Sequence, residues 1–363
     1  MGQLTESDEA LVDEITKTRN SLKTDKLDMS YGELMSMYEK EELIISPSFQ
    51  RLFRWSSRQQ TRFIESILLG IPIPAVFVAE GEFGKWEVVD GLQRISTVLS
   101  FFGELKTDKK GVNKWTLLAG NLIPKLEGYT IDTLPIQYVR NIKRSVCRVE
   151  VIKWDSQWDM RYELFSRLNT GGAVLTEQEL RNCIFRNDLK EFYVFVENAS
   201  SLKEFNKLVG LSEKQKSELY DQELIVRFIS LVNEWKNVNT SADQHMTHYM
   251  QNLVKMGADL DPRIENMFYS VIELLAKSKA NKQIFRYKSS RVFSPNLYDA
   301  IMVGFANNYR YYANHTELIL SIINKIKEDP EFKRLAGSTT YSKTRIKSYI
   351  TRAMKIIGDY QDE

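Results

Sequence analysis

The segment Val89-Asp90-Gly91-Leu92-Gln93-Arg94 brings a carboxylate, a glycine, a carboxamide and a guanidinium together within a few positions. Trp86-Glu87-Val88-Val89 before it reads as a strand, and Ile95, Val98, Leu99 and Phe102 after it fall at helical spacing. The polar group therefore sits on a strand-to-helix turn. A helix start behind a glycine gathers unpaired N–H groups at the positive end of the dipole, which is the chemistry that holds a phosphate. Arg94 adds a permanent cation with a forked donor edge, and Gln93 adds neutral donors. Asp90 is placed to hold a divalent cation or to orient a water on that phosphate. On its own, the segment reads equally as an ordinary helix start, with Asp90 as cap and Arg94 on the surface.

Other reactive side chains are few. His245, His248 and His315 are the only histidines, and no cysteine or carboxylate set surrounds the first two at metal-ligand spacing, so they are expected on the surface of a helix. Cys147 and Cys183 exclude a disulfide framework and a cysteine-based zinc ribbon, and suit a reducing cytoplasm. Basic runs occur at Arg140 to Arg148, at Lys282 to Arg291 and at Lys343 to Lys355. In the second run Arg286, Lys288 and Arg291 are interleaved with Tyr287 near Phe285, a pattern that suits a nucleic-acid backbone and equally suits a solvated face.

These residues need elements to carry them. Leu43-Ile44-Ile45 is strand-like and leads through Ser46-Pro47 to Gln50-Arg51. Ser56 or Ser57 can cap a helix whose stripe is Phe63, Ile64, Ile67 and Leu68, stopped by Gly70 and Pro72. Ala75 to Ala79 and Trp86 to Val89 form a hairpin around Gly81 to Gly84. Upstream, residues 5 to 23 are polar and helix-compatible, and Asp28-Met29-Ser30 can cap a helix carrying Leu34, Met35 and Tyr38. Residues 104 to 135 are loop-rich, and Ser145 to Trp154 alternates like a strand that closes the domain. Beyond Asp155 the pattern is helical almost throughout. The expected plan is α+β: a helical extension over 1–26, a nucleotide-binding domain over 27–155 and an all-α domain over 156–363.

The bulk properties agree with two globular domains. Of 363 residues, 43% are hydrophobic, 11% aromatic and 27% charged, enough apolar surface to offset chain entropy. Lys and Arg number 50 against 48 Asp and Glu, so the net charge of +2 points to no polyanionic partner and only local clusters could. Met1 opens onto polar and acidic residues with no apolar run behind them, which predicts no secretion signal and a cytoplasmic location. No apolar stretch approaches the roughly 20 residues that span a bilayer.

The order of parts resembles the ParB/sulfiredoxin nucleotide-binding core, in which a proline-associated Gln/Arg pair precedes the first helix and a Gly-x-x-Arg turn grips the phosphates. The resemblance is closer to the N-terminal family of GmrSD-type modification-dependent restriction endonucleases. It rests on Glu42 to Arg51, on Phe53-Arg54-Trp55, on Ile64 to Pro74, on Val89 to Arg94, and on Phe165-Ser166-Arg167-Leu168-Asn169-Thr170-Gly171-Gly172 followed by Leu175, Glu179 and Leu180. It implies a nucleoside triphosphate with Mg2+ bound by Asp90, Gly91, Gln93 and Arg94, with Gln50 and Arg51 as a second wall and Asn169 and Thr170 as a third contact. Asn169 and Thr170 read equally as a turn before a helix at Thr176. The resemblance further implies a cytoplasmic restriction or anti-phage system in which nucleotide controls DNA cleavage. The nuclease is usually a His-Asn-His domain in the same or a partner chain; no such pattern occurs here, so a separate subunit is expected to cut. Leu92 stands where the family's commonest motif, Asp-Gly-Gln-Gln-Arg, has glutamine. Two readings follow, an NTPase that gates a nuclease and a non-hydrolysing module that binds DNA or recruits a partner. A sulfiredoxin-type reaction needs a thiolate in the phosphate turn, and neither cysteine lies there.

Overall fold

In the computed structural model, the described residues are 6–20, 23–45, 55–107, 110–153, 162–165, 167, 175–186, 188–337 and 344–360. The chain divides into two compact units, Met1–Leu175 and Thr176–Glu363. The division falls some way beyond residue 155, because the helical residues 162–165, with Phe165 buried, group with the first unit.

The first unit starts with helix α1 (Glu6–Asn20), strand β1 (Thr24–Ser30) and helix α2 (Tyr31–Glu39). Strand β2 (Leu43–Ile44), helix α3 (Ser57–Leu69), strands β3 (Val76–Glu80) and β4 (Trp86–Asp90) and helix α4 (Leu92–Phe102) follow, then helix α5 (Ile136–Arg144) and strand β5 (Val146–Ile152). The strands form one mixed sheet in the order β1-β5-β3-β4-β2. β1 pairs antiparallel with β5 and β3 antiparallel with β4, whereas β3 with β5 and β2 with β4 run parallel. Alternation along β3 and β5 sends Val76, Val78, Cys147, Val149 and Val151 into one core with Tyr31, Leu34 and Met35 of α2, Phe63, Ile64 and Ile67 of α3, and Ile95, Val98 and Leu99 of α4.

Local signals set the helix ends. Ser30 with Glu33 and Ser56 with Gln59 make reciprocal capping boxes, and Gly70 closes α3 in the left-handed region at φ 67°. Two elements depart from the sequence expectation. β1 is Thr-Asp-Lys-Leu-Asp-Met-Ser, a polar edge strand whose charges find partners only across the sheet, Arg148 with Asp28 at 3.1 Å and Lys26 with Glu150 at 3.8 Å. α5 carries Ile136, Val139 and Ile142 at spacings of three, a helical signal that follows directly on the loop-rich stretch, and of these only Ile142 is buried.

Among its described residues the second unit contains helices and no strand, as expected. Its helices are α6 (Glu177–Phe185), α7 (Lys190–Ser201), α8 (Lys203–Val209), α9 (Glu213–Ser217), α10 (Tyr220–Glu234) and α11 (Ala242–Lys255). α12 (Pro262–Lys277), α13 (Pro295–Tyr312), α14 (Ile319–Glu328), α15 (Pro330–Ala336) and α16 (Arg345–Asp359) complete it. A buried ionic centre fixes their register: Asp299 of α13 accepts from Arg227 Nε and Nη2 of α10 at 2.5 and 2.7 Å, and from the Tyr349 hydroxyl of α16. The whole fold is α+β, with the sheet confined to the first unit.

Candidate functional site

The turn between β4 and α4 owes its shape to Gly91. Its φ of 91° is a conformation that side chains rarely adopt, and a Cβ there would lie 2.7 Å from Val76 Cγ2 and 3.0 Å from Arg94 Nη2. Gly91 is also the N-cap of α4 and offers no side chain to its first-turn N–H groups. The helix starts with a serine or threonine box, α2, α3, α6, α9 and α11, instead have a side-chain acceptor on the N–H of their third residue.

Arg94 lies across this turn. Its Nη2 donates to Asp90 Oδ2 at 2.8 Å and to the Ala75 carbonyl, at the entry to β3, at 3.0 Å. The side chain is only 14% exposed, against 35% for Asp90. Arg94 Nε is buried and has no hydrogen-bond partner among the described residues. The ordinary-cap reading is therefore wrong on both counts: Asp90 bonds the guanidinium rather than the helix, and Arg94 is not a surface residue. One edge of the fork is committed to Asp90 and Ala75, which fixes the plane of the rest.

Gln93 is turned inward. It is buried, and its Oε1 accepts the Trp55 backbone N–H at 3.2 Å. Trp55 itself is half-buried, edge-on to Phe63 of α3 at 5.4 Å. Gln93 thus braces the Gly91 turn against the segment that enters α3. Leu92 is half-buried and packs on the core, so the third motif position contributes apolar contact.

Behind the turn, the Tyr31 hydroxyl and the Cys147 thiol are buried close enough to Arg94 to feel its charge. Burial raises the pKa of both despite that cation, so the thiol stays protonated.

A further support was not foreseen. Glu65 of α3 points into the core at 2% exposure, and its carboxylate accepts the backbone N–H groups of Asn121, Leu122 and Ile123 at 3.2, 2.8 and 2.7 Å. It anchors the long connection that begins after α4. An acid between the buried Ile64 and Ile67 was the available signal, but its partners lie more than 50 positions away.

Gln50, Arg51, Asn169 and Thr170 fall outside the described residues. Thr176, by contrast, caps α6 in a reciprocal box with Glu179. No group of three or more His, Cys, Asp or Glu at metal-binding distance occurs among the described residues, so Asp90 contributes a single carboxylate. Mg2+ on a nucleotide is commonly held by one or two carboxylates plus phosphate oxygens, and a lone Asp90 fits that pattern.

Of the expected DNA contacts, Arg286 is a correction. It is buried, with Nη2 on the Val209 and Gly210 carbonyls at 2.9 Å, Nε on the Arg291 carbonyl at 3.1 Å and Nη1 on the Lys282 carbonyl. A guanidinium saturated by four carbonyls is not offered to a phosphate. Lys288 is exposed and pairs with Glu328 at 2.6 Å, and Arg291 is exposed. His245 is likewise not on the surface; it is buried, with Nε2 3.0 Å from the Ser230 carbonyl, while His248 is exposed.

No helix among the described residues is long and apolar enough to cross a membrane. Residues 31–186 match one known family, the N-terminal domain of the GmrSD restriction endonuclease. The matched span contains α2 to α6 and β2 to β5, and so the whole of the Gly91 turn. No curated protein matches the chain.

Proposed function

We propose that this chain is the nucleotide-responsive component of a restriction system, a reading supported by the match of residues 31–186 to the GmrSD restriction endonuclease N-terminal domain. The phosphates of a nucleoside triphosphate sit on the Gly91 turn, held by the first-turn N–H groups of α4 and the guanidinium of Arg94. Asp90 faces the phosphate-bound Mg2+, and Gln50 with Arg51 and Asn169 with Thr170 supply the outer walls. Gln93 acts at one remove, by setting the segment that carries the Gln50 wall. Nucleotide state then controls DNA cleavage by a separate nuclease subunit, with Lys288 and Arg291 on a DNA-facing surface.

The observation that carries this reading is the state of Arg94. A guanidinium with 14% exposure, tied by one nitrogen and with Nε idle, is a costly arrangement unless an anion completes its bonding. The glycine that leaves room for it and the uncapped helix start lie within the same turn.

A second reading, a nucleotide sensor that binds without hydrolysis, is favoured by Leu92, whose side chain packs on the core where a polar donor would otherwise stand. Phosphate release from ATP, GTP, CTP and UTP with Mg2+, with and without DNA, separates the two. Release that disappears in Asp90→Ala supports the NTPase. Tight binding with no release from any nucleotide supports the sensor.

A further inference from the structure

Helix α1 is unlike every other long helix of the first unit, because each of its residues from Asp8 to Asn20 is exposed. Its apolar residues Leu11, Val12 and Ile15 are exposed at 54, 49 and 55%, and at spacings of three and four they share one face. An isolated helix of this length is marginal in water, so its stripe needs a cover.

The charges say which cover fits. Glu6, Asp8, Glu9, Asp13 and Glu14 fill the first nine positions of the helix without a single base, and Lys17 and Arg19 end it without an acid. Such a helix repels a parallel copy of itself. Turned antiparallel, it sets its acidic half against the basic end of its partner and opposes the two helix dipoles. Placing Val12 opposite Ile15 also brings Arg19 opposite Asp8 of the second copy, since both pairs share one centre.

We infer that α1 is a self-association element, through which two copies of this chain join by antiparallel pairing of their α1 helices about Leu11, Val12 and Ile15. The neighbouring edge strand β1 is a poorer route to the same end. Asp25 on its core-facing row, with Lys26 and Asp28 on the other, blunts that edge against strand addition. Three apolar side chains per copy fall well short of an obligate interface, so the dimer is weak and concentration-dependent. The inference is independent of nucleotide binding.

Sedimentation velocity of the full chain tests it, from about 2 to about 200 μM, where a dissociation constant on the order of 10–100 μM would show. The expected result is a monomer–dimer equilibrium that weakens as salt rises. Leu11→Asp with Ile15→Asp should be monomeric throughout while keeping the wild-type circular dichroism and melting temperature, since neither side chain is buried. Lys17→Glu with Arg19→Glu should weaken association about tenfold or more, equivalent to at least about 1.4 kcal/mol. A wild-type chain that stays monomeric across the series overturns the proposal, as does association that survives the Leu11/Ile15 pair. Association indifferent to the Lys17/Arg19 reversal overturns the antiparallel arrangement.

Discussion

Arg94 keeps one amino group, Nη2, on Asp90 and the Ala75 carbonyl, while its Nε is buried with no hydrogen-bond partner among the described residues. The two contacts fix the orientation of the guanidinium, and they depend on the absence of a side chain at position 91. Gly91→Ala would press a methyl group on Val76 and on the guanidinium and force a non-glycine residue to φ 91°. The expected cost is about 1–3 kcal/mol from the backbone alone, seen as a lower chemical-denaturation midpoint, together with weaker nucleotide binding because Arg94 is displaced. Wild-type stability in Gly91→Ala would mean that the turn is looser than described. This level of detail was partly legible in the sequence. The residue types at 90 to 94 pointed to an anion site, whereas the inward turn of Gln93 depends on Trp55, 38 positions away, and no local pattern encodes it.

Helices and strands place these residues through a few long-range contacts. Glu65 ties α3 to the connection after α4 through three backbone N–H groups, so Glu65→Gln, which removes the charge and leaves one acceptor, should cost about 1–3 kcal/mol in thermal or chemical denaturation. An unchanged midpoint would show that the connection is held by other contacts. Arg286 has the corresponding role in the second unit, where it gathers the carbonyls that end α8 and those of Lys282 and Arg291. Arg286→Ala should therefore lower stability by about 1–3 kcal/mol, from carbonyls left without their donor, whereas a DNA contact would lower only DNA affinity and its salt dependence. Elements with a broad apolar stripe or strict alternation, α3, α4, β3, β4 and β5, were readable from periodicity to within a residue or two. β1 was not, because a polar edge strand takes its form from what it pairs with, whereas the spacing of Ile136, Val139 and Ile142 in α5 is a helical signal that the sequence did carry. Arg286 and His245 were misplaced for a related reason: a basic residue in a polar run looks the same whether its partners are water or distant carbonyls.

Across the whole molecule, the sheet-based unit carries most of the family match and the Gly91 turn, and the helical unit contains a set of buried polar groups. Lys327 is one of these, 9% exposed, with Nζ on the Gln283 carbonyl at 2.5 Å. Burial, with a smaller contribution from Lys288, pushes its pKa down to about 8 from the usual 10.5. Between those values the unfolded chain binds the proton and the folded chain does not, so stability rises with pH across that window and the penalty is complete below it. Denaturation curves taken from pH 7 to 10.5 should show wild type gaining stability relative to Lys327→Met as pH rises above about 8; parallel curves would mean that Lys327 titrates normally. The central claim, however, is that the Gly91 turn binds a nucleotide phosphate through Arg94. Calorimetric titration of each Mg2+–nucleoside triphosphate into wild type and Arg94→Ala addresses it without requiring turnover. Loss of a charged hydrogen-bonding partner corresponds to about 1.5–3 kcal/mol, so the variant should bind at least about tenfold more weakly while its circular dichroism is unchanged. Equal affinity in the two proteins, or no binding of any nucleotide to wild type, would contradict the account.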